Sequence, residues 1–146
     1  ETIMRDLSNN VVAVVGTVPA VVTADANGTG VDLQGFESAM VIVNTGIEGD
    51  TLSGSVKFDF ILEESDDNST YTAVTSSTSV TETSVDGSGI FLTLDANGET
   101  PQIKQIGYIG GKRYIRCKID ATGTHSNGTP MSIEVIKGNP QDSEDA

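Results

Sequence analysis

The sequence has no tryptophan, one cysteine, one histidine and only eight lysines and arginines. Each scarcity removes a class of protein. Cys117 cannot form an internal disulfide, and its place in an alternating apolar run reads as a small buried side chain. Eight cations against 21 acids leave a net charge of −13, a surface that repels nucleic-acid phosphates. No run of about 18 apolar residues is present, so no membrane-spanning helix is expected. Val11–Val15 is short and lacks a basic flank, so it does not read as a secretory leader. With three Tyr and four Phe as the only aromatics, a sugar-stacking platform would be thin.

What is abundant is Thr, Ser, Val and Gly, a composition that favours strands and turns over helices. At 146 residues the protein is long enough to bury one core without disulfides or metals. We expect three regions: a polar N-terminal arm at 1–10, one β domain at 11–138, and a disordered acidic tail at 139–146.

The strongest strand signal is Ser55–Glu64. It alternates Val56, Phe58, Phe60 and Leu62 with Lys57, Asp59, Ile61 and Glu63, a period of two that predicts one buried face. Val11–Val15 and Val18–Ala24 are β-branched runs around Gly16-Thr17, with Pro19 suiting an edge or a strand start. Ser38–Thr45 is almost continuously apolar and reads as a strand covered on both faces. Further strands are expected at Tyr71–Val74, Ile90–Leu94, Ile103–Ile109, Arg113–Ala121 and Met131–Lys137. Thr75–Thr83 reads as a loop or an exposed edge strand. Asn27-Gly28, Asn97-Gly98 and Asn127-Gly128 mark turns. No segment offers an amphipathic helix. Strands at spacings of about 8–12 residues predict an all-β, antiparallel β-sandwich, jelly-roll or immunoglobulin-like.

Basic charge is concentrated in one place. Lys104, Lys112, Arg113, Arg116 and Lys118 fall within 15 positions, whereas the first hundred residues carry 16 acids against Arg5 and Lys57. In strand register Lys112, Tyr114, Arg116 and Lys118 share one face. Two readings follow: a docking surface for an acidic partner, or internal pairing with acids on neighbouring strands, each such pair contributing about 0.2–1 kcal/mol. The Gly110-Gly111 break before this run reads as a turn or bulge.

Other candidate chemistry is thin. Asp66, Asn68 and Thr70 are spaced loosely like calcium ligands, but the glycine of a calcium loop is missing, and a hairpin loop is the better reading. His125 has no nucleophile elbow to serve and reads as a loop residue. Glu63-Glu64 and Asp66-Asp67 crowd one strand end, yet adjacent acids on a strand face opposite ways, unlike a glycosidase pair. The Asn-x-Ser/Thr sequons at Asn27, Asn68 and Asn127 are explained by turn chemistry. Gly110-Gly111-Lys112 lacks the spacing of a phosphate loop. No catalytic residues, metal ligands or cofactor are expected.

Phe60–Val74, with Ser-Asp-Asp-Asn-Ser-Thr at its turn, resembles a hairpin of tailed-phage structural proteins. Ile106–Arg116 resembles a later strand pair of the same small proteins, and Gly123-Thr124-His125 through Gly128-Thr129-Pro130 to Ile136-Lys137-Gly138-Asn139-Pro140 resembles their ending. In this order the three runs are similar to tailed-phage capsid decoration, or cement, proteins. The long Ser/Thr stretch at Thr75–Thr83 and the acidic tail depart from that pattern. The resemblance implies a non-enzymatic virion protein, made in the bacterial cytoplasm and placed on the capsid exterior. Its partners would be the major capsid protein and itself, as a homotrimer, with no nucleic acid and no membrane. Ile3, Met4 and Leu7 would anchor the arm; Lys112, Tyr114, Arg116 and Lys118 would form the docking strand. The alternatives are a head–tail joining or tail component, or a carbohydrate-binding β-sandwich module.

Overall fold

The computed structural model describes residues 6–140. The arm residues Ile3 and Met4 and the tail from Gln141 lie outside these. The fold is nearly all β and its ladders are all antiparallel. Among the described residues eleven strands run in order: β1 Val11–Val22, β2 Ala26–Asn27, β3 Val31–Asp32, β4 Phe36–Thr45, β5 Lys57–Ser65, β6 Thr72–Ala73, β7 Val80–Thr81, β8 Ile90–Leu94, β9 Gln102–Tyr108, β10 Tyr114–Thr122 and β11 Thr129–Pro140. One sheet has the order β1-β11-β4-β9-β7. The other places β5 beside β10, with β2 and β3 on the outer edge of β10 and β6 and β8 on that of β5.

One set of pairings nests from the ends inward. β1 pairs with β11, β2 and β3 with β10, β4 with β9, and β5 with β8. The period-two residues of β5 behave as their spacing dictates: Phe58, Phe60 and Leu62 are fully buried. They face Val41, Val43, Ile133 and Val135 of the first sheet and share the core with Ile115, Cys117 and Ile119 of β10. Burial pushes the Cys117 thiol pKa well above its usual range.

The two sheets meet along one seam. Gly28 donates its N–H to the Cys117 carbonyl at 2.9 Å, and Thr29 donates to the Gly16 carbonyl of β1 at 2.8 Å. A Cβ at position 28 would stand 2.5 Å from the Cys117 oxygen, so only glycine lets the backbones come this close.

Five expectations need correction. Asn27-Gly28 marks no turn, because Asn27 pairs with Lys118 in the β2 ladder. The two runs at 11–24 form a single strand, because register shifts between Val15 and Ala20 absorb Gly16 and Pro19 without breaking the ladder to β11. Ser38–Thr45 is covered on one face only: Ala39, Val41, Val43 and Thr45 are buried, while Met40 and Ile42 are partly exposed on the outer side of the sheet. The Gly110-Gly111 break, read as a turn or bulge, is a crossover between the sheets. β9 and β10 lie in opposite sheets, and the glycines carry the backbone across the sandwich end. Gly110 packs against the Tyr108 ring, where a Cβ would fall 2.6 Å from the hydroxyl. The last strand runs past Gly138 to Pro140, which pairs with Phe36, so Asn139 and Pro140 belong to the domain. The Thr75–Thr83 stretch holds a short 3-10 turn at Ser77–Ser79 and then β7 on the sheet edge.

Candidate functional site

Strand β10 carries the basic residues, and their side chains meet acids of the same molecule. Arg116 Nε lies 2.7 Å from Glu63 Oε1 on β5, directly across the ladder, and its guanidinium stacks 4.0 Å above the Tyr71 ring. Arg113 makes two parallel bonds of 2.9 Å to the Asp32 carboxylate, the bidentate geometry that suits guanidinium and carboxylate. Those bonds hold Asp32 down at about 2. Lys112 reaches Asp66 at 2.8 Å. Among the described residues Lys118 has no ion pair; it stands opposite Ile61 on one side and Asn27 on the other. Tyr114 lies beneath Arg113, 5.1 Å from guanidinium to ring centre. Thus Lys112, Arg113 and Arg116 each spend their charge within the molecule. The strand expected from Arg113 begins at Tyr114, and Arg113 precedes it and points to solvent and Asp32.

The loops built on acids are framework. Asp67 accepts N–H bonds from Ser69 and Thr70 and the Ser65 hydroxyl, and these depress its pKa, Thr70 contributing most. A carboxylate satisfied in this way is a turn cap. Asp50 likewise grips the N–H groups of Asn127 and Gly128, tying the 46–53 loop to the start of β11. His125 is in a loop, as expected, and is buried. Its ring stacks on Phe58 with centroids 4.1 Å apart, and Nε2 lies 2.9 Å from the Thr122 carbonyl and 3.2 Å from that of Lys57. This is a core-plugging arrangement. Among the described residues no group of three or more His, Cys, Asp or Glu side chains gathers as a metal ion would require.

The two outer faces of the sandwich differ sharply. On the β10–β5 face the outward positions include Arg116, Glu63, Lys118, Asp120, Asp59 and Lys57. Asp120, partly buried and facing Asp25 and Asp59, has its pKa raised by desolvation first and by Asp25 next. On the outer face of the five-stranded sheet the ladder aligns Ala13, Ile136, Met40 and Gly107 in one row. Val15, Glu134, Ile42 and Gln105 form the next row, and Ser132, Asn44 and Ile103 the one beyond. Glu134 is the only charge in those rows. Val15 and Ile103 are 55% and 67% exposed.

At one end of this face Leu7, Val11, Met40, Ile109 and Ile136 line a shallow depression of about 420 Å³. Leu7 is held there by a turn in which Asp6 accepts from the Ser8 hydroxyl and the Asn9 N–H, and Asn10 N–H donates to the Leu7 carbonyl. Of the arm anchors, Leu7 therefore reaches this apolar face and is 65% exposed, while Ile3 and Met4 lie outside the described residues. The outward set Val15, Met40, Ile42, Ile103 and Ile136 is not singled out by the sequence. Its only signal is the apolar character of Met40 and Ile42 at alternate positions of a strand whose other face is also apolar.

The sequence matches no protein-family model and no curated protein sequence.

Proposed function

We propose that this protein is a non-enzymatic virion structural protein that binds the outside of a tailed-phage capsid and stabilises the head. The observation that carries the reading is the outer face of the five-stranded sheet: three adjoining rows that hold Ala13, Val15, Met40, Ile42, Ile103 and Ile136 beside the uncharged Gln105, Ser132 and Asn44 and a single charge, on a protein of net charge −13. Patches of this kind on an otherwise polar molecule suit protein–protein contact. On the opposite face Lys57 and Arg116 are paired in place and only Lys118 has no ion pair among the described residues, so it offers less to an acidic partner. The docking surface is therefore assigned to Val15, Met40, Ile42, Ile103 and Ile136 together with Leu7, in preference to the strand Lys112, Tyr114, Arg116 and Lys118. Ile3 and Met4, a few positions before Leu7, belong to the same proposed contact.

Two further supports come from elsewhere. The runs Phe60–Val74, Ile106–Arg116 and Gly123–Pro140 resemble tailed-phage decoration proteins in content and order. The nested pairing, first strand with last and inward to β5 with β8, supports a jelly-roll reading, an architecture frequent in viral capsid and lectin domains. Fold alone does not carry function, so the face and the motifs bear the weight. The partners in this reading are the major capsid protein and further copies of the same protein, as a trimer, at the capsid exterior after synthesis in the bacterial cytoplasm. The carbohydrate-binding alternative is disfavoured because Tyr71 and Tyr114 each carry an arginine over one ring face.

The test is co-sedimentation of purified protein with heads that lack it, followed by heating to release DNA. Saturable binding and a higher release temperature are expected. Binding to tails instead would point to the joining or tail role. No binding to either would overturn the virion reading.

A further inference from the structure

We propose that Asn97 is a site of spontaneous covalent modification, converting to aspartate and isoaspartate in the folded protein while the other two Asn-Gly pairs stay intact. In this chemistry the backbone nitrogen of the following glycine, once deprotonated, attacks the asparagine Cγ. A new bond from that nitrogen to Cγ closes the ring, the bond from Cγ to Nδ2 breaks, and ammonia leaves. Water then opens the cyclic imide at either carbonyl, giving aspartate or isoaspartate. Water is the only co-reactant and no redox change occurs. The rate depends on how free the glycine N–H is and how mobile the amide is.

The three sites differ in both respects. Asn27 sits in the β2 ladder opposite Lys118, and Gly28 donates its N–H to the Cys117 carbonyl at 2.9 Å in the seam between the sheets. Gly128 donates to the Asp50 carboxylate at 2.7 Å, and the Asn127 amide itself donates to the Gly49 carbonyl at 2.9 Å. Asp50 thus guards that pair by charge-assisted bonding of the attacking nitrogen. At Asn97-Gly98 the turn is exposed through Asp95–Gly98. Gly98 N–H donates to Glu48 Oε1 across 3.3 Å, the longest and most exposed of the three glycine hydrogen bonds, and nothing lies within 4 Å of where a Cβ would stand. The Asn97 oxygen accepts from Leu52 N–H at 2.9 Å, which fixes one end of the amide without engaging the nucleophile.

The site is also placed to matter. Leu52 is a core residue, and the Asn97 side chain is what ties its backbone to the 95–98 turn. Aspartate preserves an acceptor there. Isoaspartate reroutes the backbone through the former side chain and removes it. Each conversion adds one negative charge to an acidic protein.

The experiment is peptide mass mapping of the intact protein held at mildly alkaline pH, in parallel with the same protein in concentrated urea. In urea the three pairs should react at similar rates. In buffer Asn97 should react at least roughly tenfold faster than Asn27 and Asn127, the factor expected from releasing a well-made hydrogen bond at the other two. Isotopically heavy water should label the product at Asn97. If Asn27 or Asn127 keeps pace with Asn97 in buffer, or Asn97 is as slow as both, the assignment is overturned.

Discussion

Removing the Arg116 side chain should cost the fold more than removing any other cation of its strand. Arg116 and Glu63 are 22% and 13% exposed and 2.7 Å apart. Exposed pairs contribute about 0–1 kcal/mol, whereas stripping one partner from a buried pair costs about 3–5 kcal/mol. This pair lies between those limits, and the Tyr71 stacking adds about 0.5–1 kcal/mol. Arg116→Ala is therefore expected to lose about 2–3 kcal/mol, a fall in melting temperature of about 5–10 °C for a domain of this size. Lys118→Ala, with no ion pair among the described residues, should change stability by less than about 0.5 kcal/mol. The assay is urea denaturation of both variants and of Glu63→Gln, with the double variant closing a cycle. A loss below about 1 kcal/mol for Arg116→Ala, or equal losses at 116 and 118, would refute the claim that the basic strand is held by internal pairing.

Three other predictions rest on single contacts. Gly110→Ala should destabilise by about 1–3 kcal/mol, since its new methyl group collides with the buried Tyr108; Gly111→Ala, with nothing near its Cβ, should be neutral by the same melting assay. Acid should loosen the fold in stages. Asp32, Asp50, Asp67 and Asp86 have lowered pKa values, so their contribution is complete above the ordinary carboxylate value of 3.8 and is lost as pH falls through their folded values, Asp32 last at about 2. Arg113→Ala should shift that final loss to higher pH in an acid titration followed by circular dichroism. Asp120 has the opposite sign: its raised pKa penalises the charged form, so Asp120→Asn should raise the melting temperature at pH 7 and give no gain at pH 3.

The buried half of the molecule was legible where one face of a strand is polar. Phe58, Phe60 and Leu62 announce themselves because Lys57, Asp59 and Glu63 separate them. Even there Asp59 is buried, because it bonds to Thr93 on β8, 34 positions further along the sequence. In β4 the same logic failed because Met40 and Ile42 are as apolar as Val41 and Val43. A period-two pattern cannot be seen when both faces are hydrophobic, and that face became the candidate surface. The Gly-Gly break was visible but not its consequence. A hairpin and a crossover begin with the same glycines, and the choice is made by where Tyr108 and Ile115 find their ladders. The ion pairs of Lys112, Arg113 and Arg116 join residues 46 to 81 positions apart, a pairing fixed by strand order rather than by local sequence.

The central claim is that the outer face of the five-stranded sheet docks on the capsid. It is tested most directly by measuring the affinity of a Val15→Lys/Ile103→Lys variant for heads that lack the protein. Both positions are largely exposed, so the fold should be retained. Burying two lysines in an apolar contact should weaken binding by at least about tenfold. Unchanged affinity for this variant, with loss of binding by a folded Lys112/Arg116/Lys118 charge reversal, would contradict the account and return the docking role to the basic strand.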